Sequence, residues 1–164
     1  MLRGQRNLGY VSCMADRHIK KSHNKTCLLY HLVFPIKYRR EVLTDGVVKT
    51  LTETCLEIQK RYEIHFIEIG TDEDHAHFLV QSVPTASVSS IVQNIKSHTG
   101  REIFAHNPEV KRMLWGGKLW TKGYYANTVG LYASVDAIQN YVKNQGKPYT
   151  RHYQGQSTLF EGLA

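Results

Sequence analysis

Apolar positions recur along this chain at two spacings, and the change from one to the other marks out the elements. Thr26 to Phe34 (TCLLYHLVF) is an apolar, aromatic and β-branched run closed by Pro35, which predicts a buried strand. From residue 46 to 62 the apolar set Val47, Leu51, Cys55, Ile58 and Tyr62 falls at helical spacing behind Thr44 or Asp45 as N-cap, predicting a first helix. Ile64 to Gly70 (IHFIEIG) and His75 to Val83 (HAHFLVQSV) return to a strand pattern. Thr71, Asp72, Glu73 and Asp74 join them in a short polar connection suited to an antiparallel hairpin. Ser87 to Ala105 carries Val88, Ile91, Val92, Ile95 and Ile103 at helical spacing, with Lys96, His98 and Arg101 on its other faces. The aromatic, glycine-broken segment 115–131 predicts a fourth strand between Leu119 and Val129. A final helix runs from Ser134 to Gln145, striped by Val135, Ile138 and Val142 and ended by Gly146 and Pro148.

The predicted order is β-α-β-β-α-β-α, an α+β class. Its first six elements match the ferredoxin-like plan, an antiparallel sheet with two helices on one face and the other face free. The last helix is an addition to that plan. A chain of 164 residues without internal repeats or Pro/Gly-rich linkers suits one domain, because a core of that size buries roughly 70% of the unfolded surface. The reading is a basic extension over residues 1–25, a folded domain over 26–150 and a tail over 151–164.

Composition narrows the class. A hydrophobic fraction of 41% and a charged fraction of 21% are those of a globular protein. No run approaches the roughly 20 apolar residues that cross a bilayer, and the basic N-terminus lacks a signal peptide's apolar middle segment. Cys13, Cys27 and Cys55 form no C-x-x-C pair, which fits reduced thiols and a cytoplasmic setting. Cys13 with His18 and His23 is only a weak zinc candidate, its spacing being irregular. The net charge of +7 and the pI near 9.3 imply a polyanionic partner. Arg3, Arg6, Arg17, Lys20, Lys21 and Lys25 face Asp16 alone in the first 25 residues. Such a stretch reads equally as a solvated tail or as an arm that contacts phosphates. A second basic cluster holds Lys37, Arg39 and Arg40.

The chemistry concentrates in two places. His75 and His77 alternate along a strand, so both point to one face roughly 7 Å apart along the chain and can converge on one metal ion. Taken alone, the pair reads sooner as two partly exposed strand histidines. Tyr141 and Gln145 stand at i and i+4 on the final helix and share a face, their Cβ atoms about 5–6 Å apart. Among 10 tyrosines, a semi-buried helix tyrosine with its hydroxyl in water is the ordinary case. A phenol with a pKa near 10 becomes a useful nucleophile where a metal polarises the electrophile or stabilises the phenolate. Two imidazoles and the neutral Gln145 amide would leave coordination positions open for phosphate oxygens on a hard divalent metal, Mg²⁺ or Mn²⁺.

H-x-H in a strand followed by Y-x-x-x-Q in a terminal helix resembles the HUH single-tyrosine transposases of the smallest bacterial insertion sequences, the insertion sequence 200/605 group. Four segments carry the resemblance over roughly residues 25–146: YHLVFPIKYRREVL (Tyr30 to Leu43), DEDHAHFLV (Asp72 to Val80), LWTKGYYANTVG (Leu119 to Gly130) and YVKNQ (Tyr141 to Gln145). Two features depart from that pattern: the extension before residue 25, and Ala76 between the histidines where a bulkier hydrophobic residue is usual.

The resemblance implies a transposase that cleaves and rejoins single-stranded DNA at element ends. Tyr141 would attack the scissile phosphate and hold a 5′ phosphate, while His75, His77 and Gln145 bind the metal. It implies a homodimer whose C-terminal helices can be swapped between subunits, and single-stranded DNA with hairpin ends as partner. Lys37, Arg39, Arg40, Lys96 and Arg101 are then candidate contacts to the DNA backbone. Tyr124, Tyr125, Trp115 and Trp120 are candidates for base stacking, with both tryptophans assigned first to core packing. Asp74 is either a turn residue or a carboxylate that orients a histidine. A hairpin-binding protein that does not cut, a metal hydrolase that activates water and a domesticated relative acting on host repeats are the competing readings.

Overall fold

The computed structural model of the chain describes residues 18–129 and 150–154. The described elements are β1 (Ile19–Lys20), β2 (Lys25–Thr26), β3 (Leu28–Pro35), a single tight turn over Lys37–Arg39, α1 (Asp45–Arg61), β4 (Ile64–Thr71) and β5 (His75–Ser82). They continue with α2 (Val88–His106), α3 (Pro108–Met113), β6 (Tyr125–Val129) and β7 (Thr150–Gln154). Five strands form one antiparallel sheet in the order β6-β3-β5-β4-β7. Without β7 this is the ferredoxin-like order predicted above: the first predicted strand sits beside the third, with the fourth on one side and the second on the other.

Side-chain alternation decides what each face of the sheet carries. From β3, β4 and β5, Leu32, Phe34, Phe66, Ile69, Ala76, Phe78 and Val80 enter the main core, which also takes Val47, Leu51, Cys55 and Ile58 of α1 and Ile91, Val92, Ile95 and Ile103 of α2. The aromatic centre of this core is tight: the Phe34 and Phe78 rings lie 5.0 Å apart, and Trp120 meets Phe34 edge-on at 5.7 Å. Each fully buried Phe or Ile contributes about 1.5–3 kcal/mol over its exposed state, so this one face holds the fold together. Helix α2 is capped by Ser87, whose hydroxyl accepts the Ser90 amide at 3.1 Å. Thr44 caps α1 without a side-chain hydrogen bond.

Four features differ from the sequence expectation or go beyond it. Tyr62 is not part of the α1 stripe; it is the C-cap residue, 37% exposed, and its ring lies 5.5 Å from that of His98. Residues 19–26, within and just after the expected extension, form a small hairpin whose Lys21 pairs with Glu63 at the foot of β4. Helix α3 interrupts the stretch between α2 and the fourth predicted strand, with Pro108 in its first turn. Thr150–Gln154 adds an edge strand beside β4, tied to it by an Arg151–Glu68 ion pair at 3.4 Å and a Thr71–His152 hydrogen bond at 2.6 Å. The predicted final helix, Ser134 to Gln145, lies outside the described residues. No helix among the described residues is long and apolar enough to cross a membrane.

Candidate metal centre on the open face of the sheet

Because Ala76, Phe78 and Val80 of β5 face the core, His75, His77, Leu79 and Gln81 must face the other way. The two histidines project side by side from the face without helices, their rings 4.8 Å apart and inclined at 61°. Ala76 between them is fully buried among core residues, so the small side chain sits on the packed face and not at the site.

Each histidine is held through its Nδ1 atom. Asp74 Oδ1 lies 2.7 Å from His75 Nδ1, and the other oxygen of the same carboxylate takes Arg39 Nε at 2.6 Å. Asp74 is therefore a positioning carboxylate as well as a turn residue; its own carbonyl accepts the Ile36 amide at 2.8 Å, locking the hairpin end to the end of β3. Burial pushes the Asp74 carboxyl upward, but the hydrogen bond from His75 and the charge of Arg39 outweigh it and hold the group below its ordinary value. On the other side, His77 Nδ1 lies 3.1 Å from Nε2 of His31, a β3 residue, with the two rings stacked at 5.4 Å and within 9° of parallel. Burial lowers His31 to about 4. Burial, with the neighbouring His75 and His31, lowers His77 to about 3.

Both buried imidazoles are thus neutral at physiological pH, the state in which a ring nitrogen can ligate a metal. With each Nδ1 engaged by a protein partner, Nε2 is the nitrogen left to serve as ligand, the arrangement in which outer groups set the tautomer and ring orientation of metal-binding histidines. The donor set fits a divalent metal that takes two imidazoles and fills its remaining positions with oxygen. Among the described residues no group of three or more His, Cys, Asp or Glu side chains is arranged to hold a metal ion. Tyr141 and Gln145 lie outside the described residues, as does Cys13.

The residue that sequence reasoning missed is His31. It sits in the middle of an apolar run, where a lone histidine reads as packing. What makes it part of the site is the pairing of β3 with β5, which sets Val33 opposite His77 and brings His31 diagonally onto the same face. The sequence signal that was available is a histidine on the strand face opposite to Leu32 and Phe34.

The candidate DNA contacts separate into different roles. Arg39 is engaged by Asp74, while Arg40 is exposed and Lys37 half-buried beside it. Arg101 is exposed on α2 and bonds the His98 ring at 2.9 Å. The Lys96 ammonium lies within hydrogen-bond distance of the carbonyls of Gly123 at 2.7 Å, Thr121 at 3.0 Å and Lys122 at 3.4 Å, and lies over the Phe34 and Tyr124 rings. Trp120 is buried, as expected, and its indole N–H donates to Thr99 Oγ1 at 2.9 Å. Trp115 is not a core residue: it is 75% exposed, because it follows the last turn of α3 on the outside, where Leu114 takes the inward position. Tyr124 and Tyr125 are also exposed in part, and Tyr125 meets His31 edge-on at 6.1 Å.

A family model described as Transposase IS200 like matches residues 24–145. The ISDra2 transposase TnpA of Deinococcus radiodurans is 31% identical over 118 residues, 72% of this chain and 84% of its own length. The transposase for insertion sequence element IS200 of Salmonella typhimurium is 27% identical over 124 residues, 76% of this chain and 80% of its own. A crystal structure of a transposase candidate from Deinococcus radiodurans superposes with a TM-score of 0.63 at 29% identity, covering 77% of this chain and 97% of that one. A REP-associated tyrosine transposase solved bound to a REP hairpin gives a TM-score of 0.51 at 10% identity over 76% of this chain and 69% of that one, a likeness of fold alone.

Proposed function

The chain belongs to the family of IS200-like transposases, and from that premise we propose that it cleaves and rejoins single-stranded DNA at element ends through a 5′-phosphotyrosine on Tyr141. The observation that carries this reading is the pair His75 and His77, turned to one face and each held at Nδ1 by its own partner. His75 and His77, with the Gln145 amide, would hold Mg²⁺ or Mn²⁺, whose chemistry when bound is to withdraw charge from the scissile phosphate.

The Tyr141 phenol oxygen attacks phosphorus and gives up its proton. The bond from phosphorus to the 3′ oxygen breaks, and that oxygen leaves as a 3′ hydroxyl. The phosphotyrosine keeps the free energy of the phosphodiester, so the 3′ hydroxyl of a second strand attacks it, restores the phenol and reseals DNA without ATP. Lys37, half-buried, and Arg40, exposed, would contact the strand's phosphates from the turn that holds the Arg39–Asp74 pair. The proposed substrate is a single strand with hairpin ends. The proposed assembly is a homodimer working in the cytoplasm, with the Tyr141 helix open to exchange between subunits.

The test is to incubate the protein and its Tyr141→Phe variant with Mg²⁺ and single-stranded oligonucleotides from the flanks of its gene, labelled at either end. A metal-dependent, denaturation-resistant adduct that keeps only the 3′ label and is absent from the variant is the expected result. Tight binding without adduct on cleavable ends would make the protein a hairpin-binding module, and free cut ends from both proteins would make it a metal hydrolase.

A further inference from the structure

The turn after β3 is built in an unusual way. Tyr38 and Arg39, neither of them glycine, both take left-handed backbone angles, with φ of 60° and 54°. Side chains adopt that conformation at a cost, and it persists where the surroundings over-determine it, often at binding sites. Here three contacts hold the turn. The Lys37 amide donates to the Leu119 carbonyl at 2.8 Å, the Arg39 amide donates to the Ile36 carbonyl at 3.0 Å, and Arg39 Nε holds Asp74. The result of the twist is that the Tyr38 ring lies flat against the Trp115 indole, centroids 5.9 Å apart and within 20° of parallel.

This aromatic pair does not pack the core. Trp115 is 75% exposed and Tyr38 50%, whereas Trp120, five residues on, is buried. Gly116 and Gly117 take φ of 101° and 68° directly after Trp115, so the chain turns away and leaves the indole proud of the surface. Lys37 Nζ stands 5.1 Å from the Tyr38 ring centre, and Arg40, Lys111, Arg112 and Lys118, near the pair in sequence, are exposed, as are Glu41 and Glu109. Residues 110 to 129 contain four basic residues, Lys111, Arg112, Lys118 and Lys122, and no acidic one. An exposed aromatic face with the Lys37 ammonium against it, in a stretch of chain rich in lysine and arginine, is matched to a partner that is a polyanion with flat apolar rings, the recognition mode of single-stranded nucleic acid.

We propose that the Tyr38–Trp115 pair is a nucleobase platform: an unpaired base of single-stranded DNA stacks on the exposed indole face while Lys37 and Arg40 take the flanking phosphates. The proposal rests on the reading that the substrate is single-stranded DNA. Because Arg39 in the same turn holds Asp74, and Asp74 holds His75, a base seated on the platform places the strand at a set distance from the histidine pair.

Trp115 and Trp120 are the two tryptophans of the chain, so indole fluorescence of the full-length protein reports on the platform. A 12-nucleotide single strand, the same strand lacking its bases, and a blunt duplex of equal length, each end-labelled with a dye, are titrated with the wild type, Trp115→Phe and Trp115→Ala, affinity being read from dye anisotropy and quenching from the wild-type indole. The platform predicts quenching by the single strand alone. It also predicts affinity within about threefold of wild type for Trp115→Phe, and a loss on the order of tenfold for Trp115→Ala, the usual size of one base–aromatic stack. Equal quenching by the abasic strand or the duplex, or a Trp115→Ala affinity within twofold of wild type, would overturn it. The Tyr141 adduct assay, run alongside, separates the two readings: quenching without adduct leaves the platform standing and removes the cleavage chemistry, and adduct without quenching does the reverse.

Discussion

His31 Nε2 stands 3.1 Å from His77 Nδ1, and the two rings are stacked on neighbouring strands of the open sheet face. For His77 to offer Nε2 to a metal, its Nδ1 must carry the proton and donate it to His31. In the proposed metal site His31 would then be a positioning residue for His77. His31→Leu keeps the apolar volume of the strand but removes the acceptor. It is expected to lower Mn²⁺ affinity by about 10- to 100-fold, the usual effect of losing an outer partner of a metal ligand, while His31→Gln, which can still accept, loses less. Calorimetric titration with Mn²⁺ checks this, and equal affinity for His31→Leu and wild type would remove the role.

The same pair makes stability depend on pH in the metal-free protein. His31 and His77 are lowered by burial to about 4 and about 3, while an unfolded histidine titrates near 6.5. Above pH 6.5 both states are neutral and nothing changes. As pH falls from 6.5 toward 4 the unfolded chain binds protons that the folded chain does not, so stability must fall through that window. Urea unfolding in the presence of chelator should show the midpoint dropping between pH 7 and 4.5, with a shallower drop for His31→Gln.

Trp120 donates its indole N–H to Thr99 Oγ1 at 2.9 Å, and Thr99 donates in turn to the Ile95 carbonyl at 2.6 Å. Thr99→Val preserves the shape but strands the indole donor inside the core, at an expected cost of about 1–3 kcal/mol. Trp120→Phe removes the donor together with its need for a partner, so Thr99→Val should cost little more in that background. A double-mutant cycle by chemical denaturation measures the coupling.

Lys96 was among the candidate DNA contacts, and its ammonium lies against the carbonyls of Thr121, Lys122 and Gly123. Lys96→Met is therefore expected to destabilise the fold by about 1–3 kcal/mol and to leave the salt dependence of DNA binding unchanged. Arg40→Met should do the opposite, reducing the slope of log affinity against log salt by about one with no change in stability. Thermal unfolding and binding at three salt concentrations separate the two roles.

What the chain determines by itself is whatever depends on local period. Helical and alternating spacings carry β3, β4, β5, α1 and α2 at nearly their observed bounds, and strict alternation puts His75 and His77 on one face while Ala76, Phe78 and Val80 take the other. These are properties of a few consecutive residues. Tertiary structure decided the rest, because the partners lie far apart in sequence. His31 joins the site only through the register of β3 on β5. Thr150–Gln154 is a polar stretch that becomes β7 because β4 offers it an edge with Glu68 and Thr71 to pair against Arg151 and His152. Trp115 and Trp120 look alike in composition and neighbourhood; the direction in which the chain leaves α3 buries one against Thr99 and lays the other, exposed, on Tyr38.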